Sequence, residues 1–117
     1  MPAPVWKSNP EAHDFPAALD YLELALEPEA AQRVVERLRD TQTVVKKAKD
    51  ILRASGLPLL PQDNVHVSEN IAKVGRGKKL SPVLLVRGQP LLIADGYHRV
   101  CAIYYLSEDL EVPCRLA

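Results

Sequence analysis

The residues best suited to chemistry in this chain form the run Asp95-Gly96-Tyr97-His98-Arg99. A buried strand that ends at Asp-Gly and leads directly into a helix would place the unpaired N–H groups of the first helical turn at the end of a sheet, where they attract anions. His98 adds a titratable donor and Arg99 adds a permanent cation. Gly96 has no Cβ, so a phosphate oxygen could approach the backbone there. The run therefore predicts a phosphate-binding turn.

The same residue types also fit a purely structural role. Asp95 could cap the helix and Gly96 could simply form the turn, while His98 and Arg99 project into solvent. Short motifs of this kind match many unrelated sequences. The order of the elements around the run therefore has to decide between the two interpretations.

The second half of the chain alternates short extended segments with helices. Gly88-Gln89-Pro90 between two apolar runs indicates a hairpin, and continuous apolarity in both runs indicates burial on two faces. We expect, in chain order, an extended segment or edge strand at 57–61, a short helix from Ser68 to about Gly75, strands at 83–87 and 91–94, a helix after Asp95-Gly96 that carries Val100 to Leu106, and a final edge strand at 111–116 that contains Pro113.

The first half is predicted to be helical behind a proline-rich arm. The arm, residues 1–15, is expected either to pack through Val5, Trp6 and Phe15 or to be partly mobile. Apolar residues at helical spacing predict helices at 16–26, at 28–39 and from Thr41 or Thr43 to Gly56. We therefore expect an α+β protein that forms one compact unit, with an N-terminal arm and helical subdomain at 1–56 and an α/β core at 57–117.

Length and composition limit the classes of protein that this chain can belong to. Its 117 residues suffice for one domain, and 15 Lys and Arg balance 15 Asp and Glu, so there is no overall positive field to attract nucleic acid. The apolar runs are far shorter than the roughly eighteen residues of a membrane-spanning helix, and no signal peptide is recognised. We expect a cytoplasmic protein with no membrane partner.

Residues 57–117 resemble the ParB/sulfiredoxin-like superfamily (the ParB N-terminal-like domain). The resemblance is carried by Leu80-Ser81-Pro82-Val83 followed by Ile93-Ala94-Asp95-Gly96-Tyr97-His98-Arg99, with Ala102 at the family's small position where the helix meets the sheet. It implies a small mixed sheet with flanking helices. Residues 1–56 lie outside the resemblance.

In that superfamily the Gly-x-x-Arg turn and the following helix hold nucleotide phosphates: ATP in sulfiredoxins, CTP in ParB proteins, and ADP or ATP in free-serine kinases. The resemblance therefore implies that Gly96, His98 and Arg99 bind the phosphates of ATP, ADP or CTP, with Mg²⁺ arriving only with the nucleotide. Asp95 would orient these groups or reach a metal or hydroxyl, and Glu69 matches the catalytic base of the kinases. Asp95 and Glu69 are thus the catalytic candidates, with phosphotransferase or nucleotide hydrolase activity left open.

Two departures from the family pattern limit what is carried over. Sulfiredoxins have a reactive cysteine immediately before His-Arg, whereas this chain has Tyr97, so sulfiredoxin activity is not expected. A ParB-type helix-turn-helix is also missing from the sequence, so specific centromere binding is not expected.

A non-enzymatic interaction or regulatory module with a vestigial anion site is the alternative function, and a homodimer stays open.

A basic loop after the short helix offers further phosphate contacts. Lys73, Lys78 and Lys79 lie there beside two glycines and could close over a polyphosphate, or could simply be solvated. Nucleic-acid binding through this loop ranks lower because the net charge is zero.

The remaining polar and thiol groups carry weaker signals. Asp50 and Arg53 lie one helical turn apart and would line the same cleft if their helix packs beside the end of the sheet.

Cys101 is predicted to be a small buried hydrophobe, with a reactive thiol at a helix N-terminus as the alternative. Cys114 should share the buried role. The three histidines are far apart in the sequence, so no metal site is predicted.

Overall fold

The computed structural model describes residues 2–117, so Met1, the first residue of the predicted arm, lies outside the described residues. The structure is α+β, as predicted. Its elements in chain order are β1 (Val5–Trp6), α1 (Asp14–Ala25), α2 (Pro28–Asp40), β2 (Val44–Lys47), α3 (Ala48–Ser55), α4 (Val65–Gly75), β3 (Lys79–Leu80), β4 (Val83–Val86), β5 (Leu92–Asp95), α5 (Tyr97–Leu106) and β6 (Glu111–Leu116).

The main sheet has four strands in the order β2-β6-β4-β5. Strand β4 pairs antiparallel with β5, which confirms the predicted hairpin, and parallel with β6, while β2 pairs antiparallel with β6. A second, two-stranded sheet joins β1 to β3 in parallel. The N-terminal arm is thereby anchored beside the loop that leads into the main sheet.

Helices cover both faces of the main sheet. Leu84 and Val86 of β4 pack with α1 and α2, whereas Val83 and Leu85 pack with α3, α4 and α5. Successive side chains of a strand point to opposite faces, so a strand covered on both sides must be apolar throughout. This confirms the prediction of two-sided burial.

The predicted third helix is wrong in its first half. Residues Val44–Lys47 form strand β2, and the helix begins only at Ala48. Its end is as predicted, because Gly56 adopts the left-handed conformation with φ 67°. Val44 and Val45 continue the apolar spacing of the helix that follows them, but their backbone pairs with Cys114 and Pro113 of β6. A distant strand thus overrides the local pattern.

Residues 57–61 form no strand, so the edge strand, one of the two alternatives for this segment, is wrong. The prediction of a final edge strand is also wrong, because β6 lies inside the sheet. Pro113 is tolerated there because β6 pairs with β4 only from Cys114 onward, so its missing N–H removes no bond to β4. The short helix also begins earlier than predicted, at Val65, because the Asn64 side chain accepts hydrogen bonds from the N–H groups of His66 and Val67.

Among residues 2–117 no helix combines the length and apolarity that crossing a membrane requires.

Candidate functional site

The turn between β5 and α5 is built around Gly96. Its φ of 108° lies in the left-handed region, and a Cβ at this position would stand 2.4 Å from Val83 Cγ1 and 2.9 Å from Arg99 Nη2. Both the backbone conformation and the close packing therefore require glycine. On this side of Gly96 the space is filled by protein atoms rather than left for a phosphate oxygen.

Arg99 is largely buried and is held by Asp95. Its Nη2 donates to Asp95 Oδ2 at 2.8 Å, and the two side chains are 17% and 19% exposed. Burial raises the pKa of the Asp95 carboxyl, and the Arg99 guanidinium acts in the opposite direction. Arg99 Nε is buried and has no hydrogen-bond partner within residues 2–117. The guanidinium thus keeps a donor that no described group uses.

Arg99 lines a small, rather enclosed cavity of about 110 Å³, which we call the Arg99 cavity. Its walls come from the start of α1, from α4, from the segment around β3 and from α5. The lining residues are Glu11, His13, Asp14, Asn70, Lys73, Lys79, Leu80, Ser81 and Arg99. Three cations from α4, β3 and α5 therefore meet at one cavity.

The acidic residues of the cavity are already paired within the N-terminal arm. His13 Nε2 lies 3.1 Å from Glu11 Oε2 and 3.4 Å from Asp14 Oδ1. Glu11 also pairs with Lys7, and its N–H donates to Asp14 Oδ2 at 2.9 Å. In contrast, within the described part of the chain no carboxylate lies within 4.0 Å of the ammonium of Lys73 or Lys79. These lysines are the cations that an anion could engage.

His98 does not line the Arg99 cavity. Its ring lies 4.9 Å from the ring of His66, edge to face, and 5.8 Å from that of Tyr97. Burial lowers the pKa of His98, and the neighbouring His66 and Arg99 lower it further, so the imidazole favours its neutral form. Consecutive residues of a helix project about 100° apart, and this rotation separates His98 from Arg99.

Two other residues that the sequence singled out lie outside the cavity. Glu69 is exposed on α4, with Oε2 3.7 Å from His66 Nδ1. The side chain of Lys78 is exposed. Its backbone N–H donates a hydrogen bond to Lys73 O at 2.9 Å. The structure thus brings together Arg99, Lys73 and Lys79 but not Glu69, Lys78 or His98. Asp50 and Arg53, paired at 3.1 Å, also lie apart from this cavity.

The opposite face of α5 holds the loop at 57–61. The Tyr97 hydroxyl donates to Pro58 O, and the Tyr105 hydroxyl donates to Leu60 O at 2.6 Å. Cys101 lies between these tyrosines and is fully buried, and burial raises the pKa of its thiol. The predicted buried role of Cys101 is confirmed, and the shift is opposite to that of a thiol activated at a helix N-terminus. Cys114 is likewise buried and free.

Five polar residues of the cavity were not predicted as site residues: Glu11, His13, Asp14, Asn70 and Ser81. The adjacent polar pair His13-Asp14 was the available signal. No local pattern linked that pair to Arg99, because the two segments are more than 80 residues apart. Residues 2–117 contain no group of three His, Cys, Asp or Glu side chains placed to hold a metal ion.

Comparisons of the chain with protein-family models, with curated proteins and with solved structures found no match.

Proposed function

We propose that this chain is a ParB/sulfiredoxin-like protein that binds the phosphate group of a nucleotide or of another phosphorylated small molecule in the Arg99 cavity. The observation that carries the proposal is the convergence of Lys73, Lys79 and Arg99 on one small cavity. The succession of strand β5, the Asp95-Gly96 turn, helix α5 and strand β6 is the order of elements on which the resemblance rests.

The charges around the cavity favour an anion. Of its two carboxylates, Glu11 pairs with Lys7, and Asp14 accepts a hydrogen bond from the Glu11 N–H; the His13 ring lies within 3.4 Å of both. The two lysines have no such partners within residues 2–117, and the guanidinium of Arg99 keeps an unused donor. Charge-assisted hydrogen bonds to an oxyanion would satisfy the two ammonium groups, and such bonds are about twice as strong as hydrogen bonds between neutral groups. The Nε of Arg99 is itself buried, so the oxyanion would meet the accessible part of the guanidinium rather than this atom.

The size of the cavity limits which part of a ligand can enter. About 110 Å³ is the volume of roughly three or four waters at about 30 Å³ each. Sites that hold whole ligands of nucleotide size have volumes of about 300–1,000 Å³. A single phosphate group fits, whereas the sugar and base of ATP, ADP or CTP would lie outside. Mg²⁺ would come with the nucleotide, since no described cluster is placed to hold it.

The arrangement supports binding more directly than turnover. The Asp95 carboxylate is engaged by Arg99, and Glu69 lies outside the cavity. A catalytic role for Asp95 would require this ion pair to open when the ligand binds. The same ion pair favours the second candidate, a regulatory or interaction module whose anion site binds without reaction.

Thermal unfolding in the presence of inorganic phosphate, ADP, ATP or CTP, each with and without Mg²⁺, tests the proposal. A ligand at a hundred times its Kd stabilises a protein by about 2.7 kcal/mol, which a melting curve detects easily. We expect stabilisation by at least one of these compounds, and release of inorganic phosphate from ATP or CTP would separate an enzyme from a binding module. If none of them raises the melting temperature, the proposal is wrong.

Neighbouring lysines provide a matched pair of variants. Lys79→Gln removes a cation from the cavity and should weaken the bound phosphate compound about tenfold. Lys78→Gln removes the adjacent exposed lysine, which does not line the cavity, and should leave the affinity unchanged. Equal weakening by both variants would indicate a diffuse charge effect and would contradict a site at the Arg99 cavity.

A further inference from the structure

A second, chemically different pocket lies between α3 and the main sheet. It has a volume of about 180 Å³ and is formed by Ile51, Ala54, Leu85, Leu91 and Leu116, with Lys46 and Asp50 also contributing. The surface inside it is wholly apolar, so Lys46 and Asp50 line it only with their carbon atoms, and their charged ends must lie at its rim. We call this pocket the α3 slot. It shares no residue with the Arg99 cavity.

The volume of the α3 slot suits one small apolar group. The slot is open to solvent on one side, and its volume is close to that of an enclosed apolar cavity of about 150 Å³ that binds benzene. The slot is therefore of the size of one aromatic ring or a short branched aliphatic chain. Burial of such a group against Ile51, Leu85 and Leu116 removes apolar surface of both partners from water.

The rim of the slot carries one unpaired positive charge. Lys46 lies opposite Val112 of β6 in the strand register, so the two side chains are on the same face of the sheet. Val112 belongs to the core on the α3 side, so Lys46 also lies on that side. No carboxylate of residues 2–117 lies within 4.0 Å of its ammonium. The charge of Asp50 is offset, because Asp50 Oδ1 accepts a hydrogen bond from Arg53 Nη2 at 3.1 Å. The rim therefore favours an anion.

We infer that the α3 slot binds a small carboxylic acid with an aromatic or branched aliphatic body. The body fills the slot and the carboxylate pairs with the ammonium of Lys46. A neutral compound of the same shape would leave Lys46 without a partner, and the corresponding amine would place a second cation beside it. The side chain of Lys46 therefore sets the order of affinity among such compounds.

Chemical-shift titrations of the full chain with benzoate, benzyl alcohol and benzylamine test this inference. We expect benzoate to bind most tightly and benzylamine least, with shifts centred on Ile51, Ala54 and Leu116. Absence of shifts at these residues, or binding of benzylamine as tight as that of benzoate, would overturn the inference.

Three variants locate the site. Ala54→Leu fills the slot from the exposed surface of α3 with a good helix former and should abolish benzoate binding while leaving the phosphate affinity of the Arg99 cavity unchanged. Lys46→Gln should weaken benzoate about three- to fivefold, the effect of one partly exposed ion pair. The control is Lys47→Gln, because the side chain of Lys47 points to the opposite face of β2. Retained binding in Ala54→Leu, or equal weakening by the two lysine variants, would contradict the assignment.

Discussion

Arg99 and Asp95 close the strand-to-helix turn by an ion pair of 2.8 Å between Nη2 and Oδ2. Asp95 is the last residue of β5 and Arg99 lies in the first turn of α5, so the pair joins the main sheet to the helix. It also fixes the guanidinium at the wall of the Arg99 cavity. Asp95 therefore positions Arg99 and at the same time competes with any oxyanion for its charge.

Asp95→Asn should tighten phosphate binding. The amide oxygen can still accept from Arg99, but the negative charge that opposes an incoming oxyanion is gone. We expect the Kd for inorganic phosphate to fall about three- to tenfold by calorimetric titration. Asp50→Asn, which removes an acid outside the cavity, should leave the Kd unchanged. Weaker binding by Asp95→Asn would show that the charge of Asp95 is needed to hold Arg99 in place.

Gly96→Ala should destabilise the protein far more than Gly77→Ala. Both glycines have positive φ, but a Cβ at Gly96 would collide with Val83, whereas at Gly77 it would meet nothing within 4 Å. Backbone strain alone costs about 1–2 kcal/mol, and overpacking adds about 1–3 kcal/mol more. Urea unfolding of the two variants measures the difference in the free energy of unfolding. Similar values would mean that Val83 and Arg99 move aside freely.

Arg115→Met should destabilise the fold by about 2–4 kcal/mol. Arg115 is 8% exposed, and its Nη1 donates to Leu38 O at 3.1 Å and Arg39 O at 2.7 Å, carbonyls in the last turn of α2. Methionine would leave both carbonyls without this donor. Arg87→Met is the surface control, and chemical denaturation should find its stability within about 0.5 kcal/mol of the parent. An equally small effect at Arg115 would show that water replaces the guanidinium without loss.

The thiol of Cys114 should make stability depend on pH in the alkaline range. Burial raises its pKa from 9.0 to about 11, so the folded state holds this proton more tightly than the unfolded state. The contribution of Cys114 to stability is therefore complete below about pH 9 and is lost as the pH rises toward 11, by an amount on the order of 2 kcal/mol. We therefore expect the free energy of unfolding, measured with urea, to fall less between about pH 8 and about pH 10.5 in Cys114→Ala than in the parent. Parallel pH profiles of variant and parent would contradict the shift.

Local signals in the sequence predicted several elements correctly. The hairpin of β4 and β5 follows from two apolar runs around Gly88-Gln89-Pro90, and the start of α5 follows from Asp95-Gly96. These features depend on residues only a few positions apart. The pairing of Arg99 with Asp95, one helical turn away, also lies within that range.

The strand Val44–Lys47 could not be recognised in the same way. Val44 and Val45 precede Ala48, Ile51 and Leu52 at spacings that suit a helix, and only pairing with Glu111–Leu116 makes the segment extended.

The basic residues of the cavity could not be told apart from the sequence either. Lys73, Lys78 and Lys79 look alike in the sequence, yet only Lys73 and Lys79 line the Arg99 cavity.

By itself, the sequence determined the α+β class, the strand-turn-helix around Gly96 and the cation at its end, because backbone conformation and apolar periodicity act over a few residues. Tertiary structure decided which side chains join Arg99, and it turned His98 toward His66 instead. Those contacts arise when helices α1, α4 and α5 bury their apolar faces together with the sheet. The direction of each polar side chain follows from that packing and is not encoded in its neighbours along the chain.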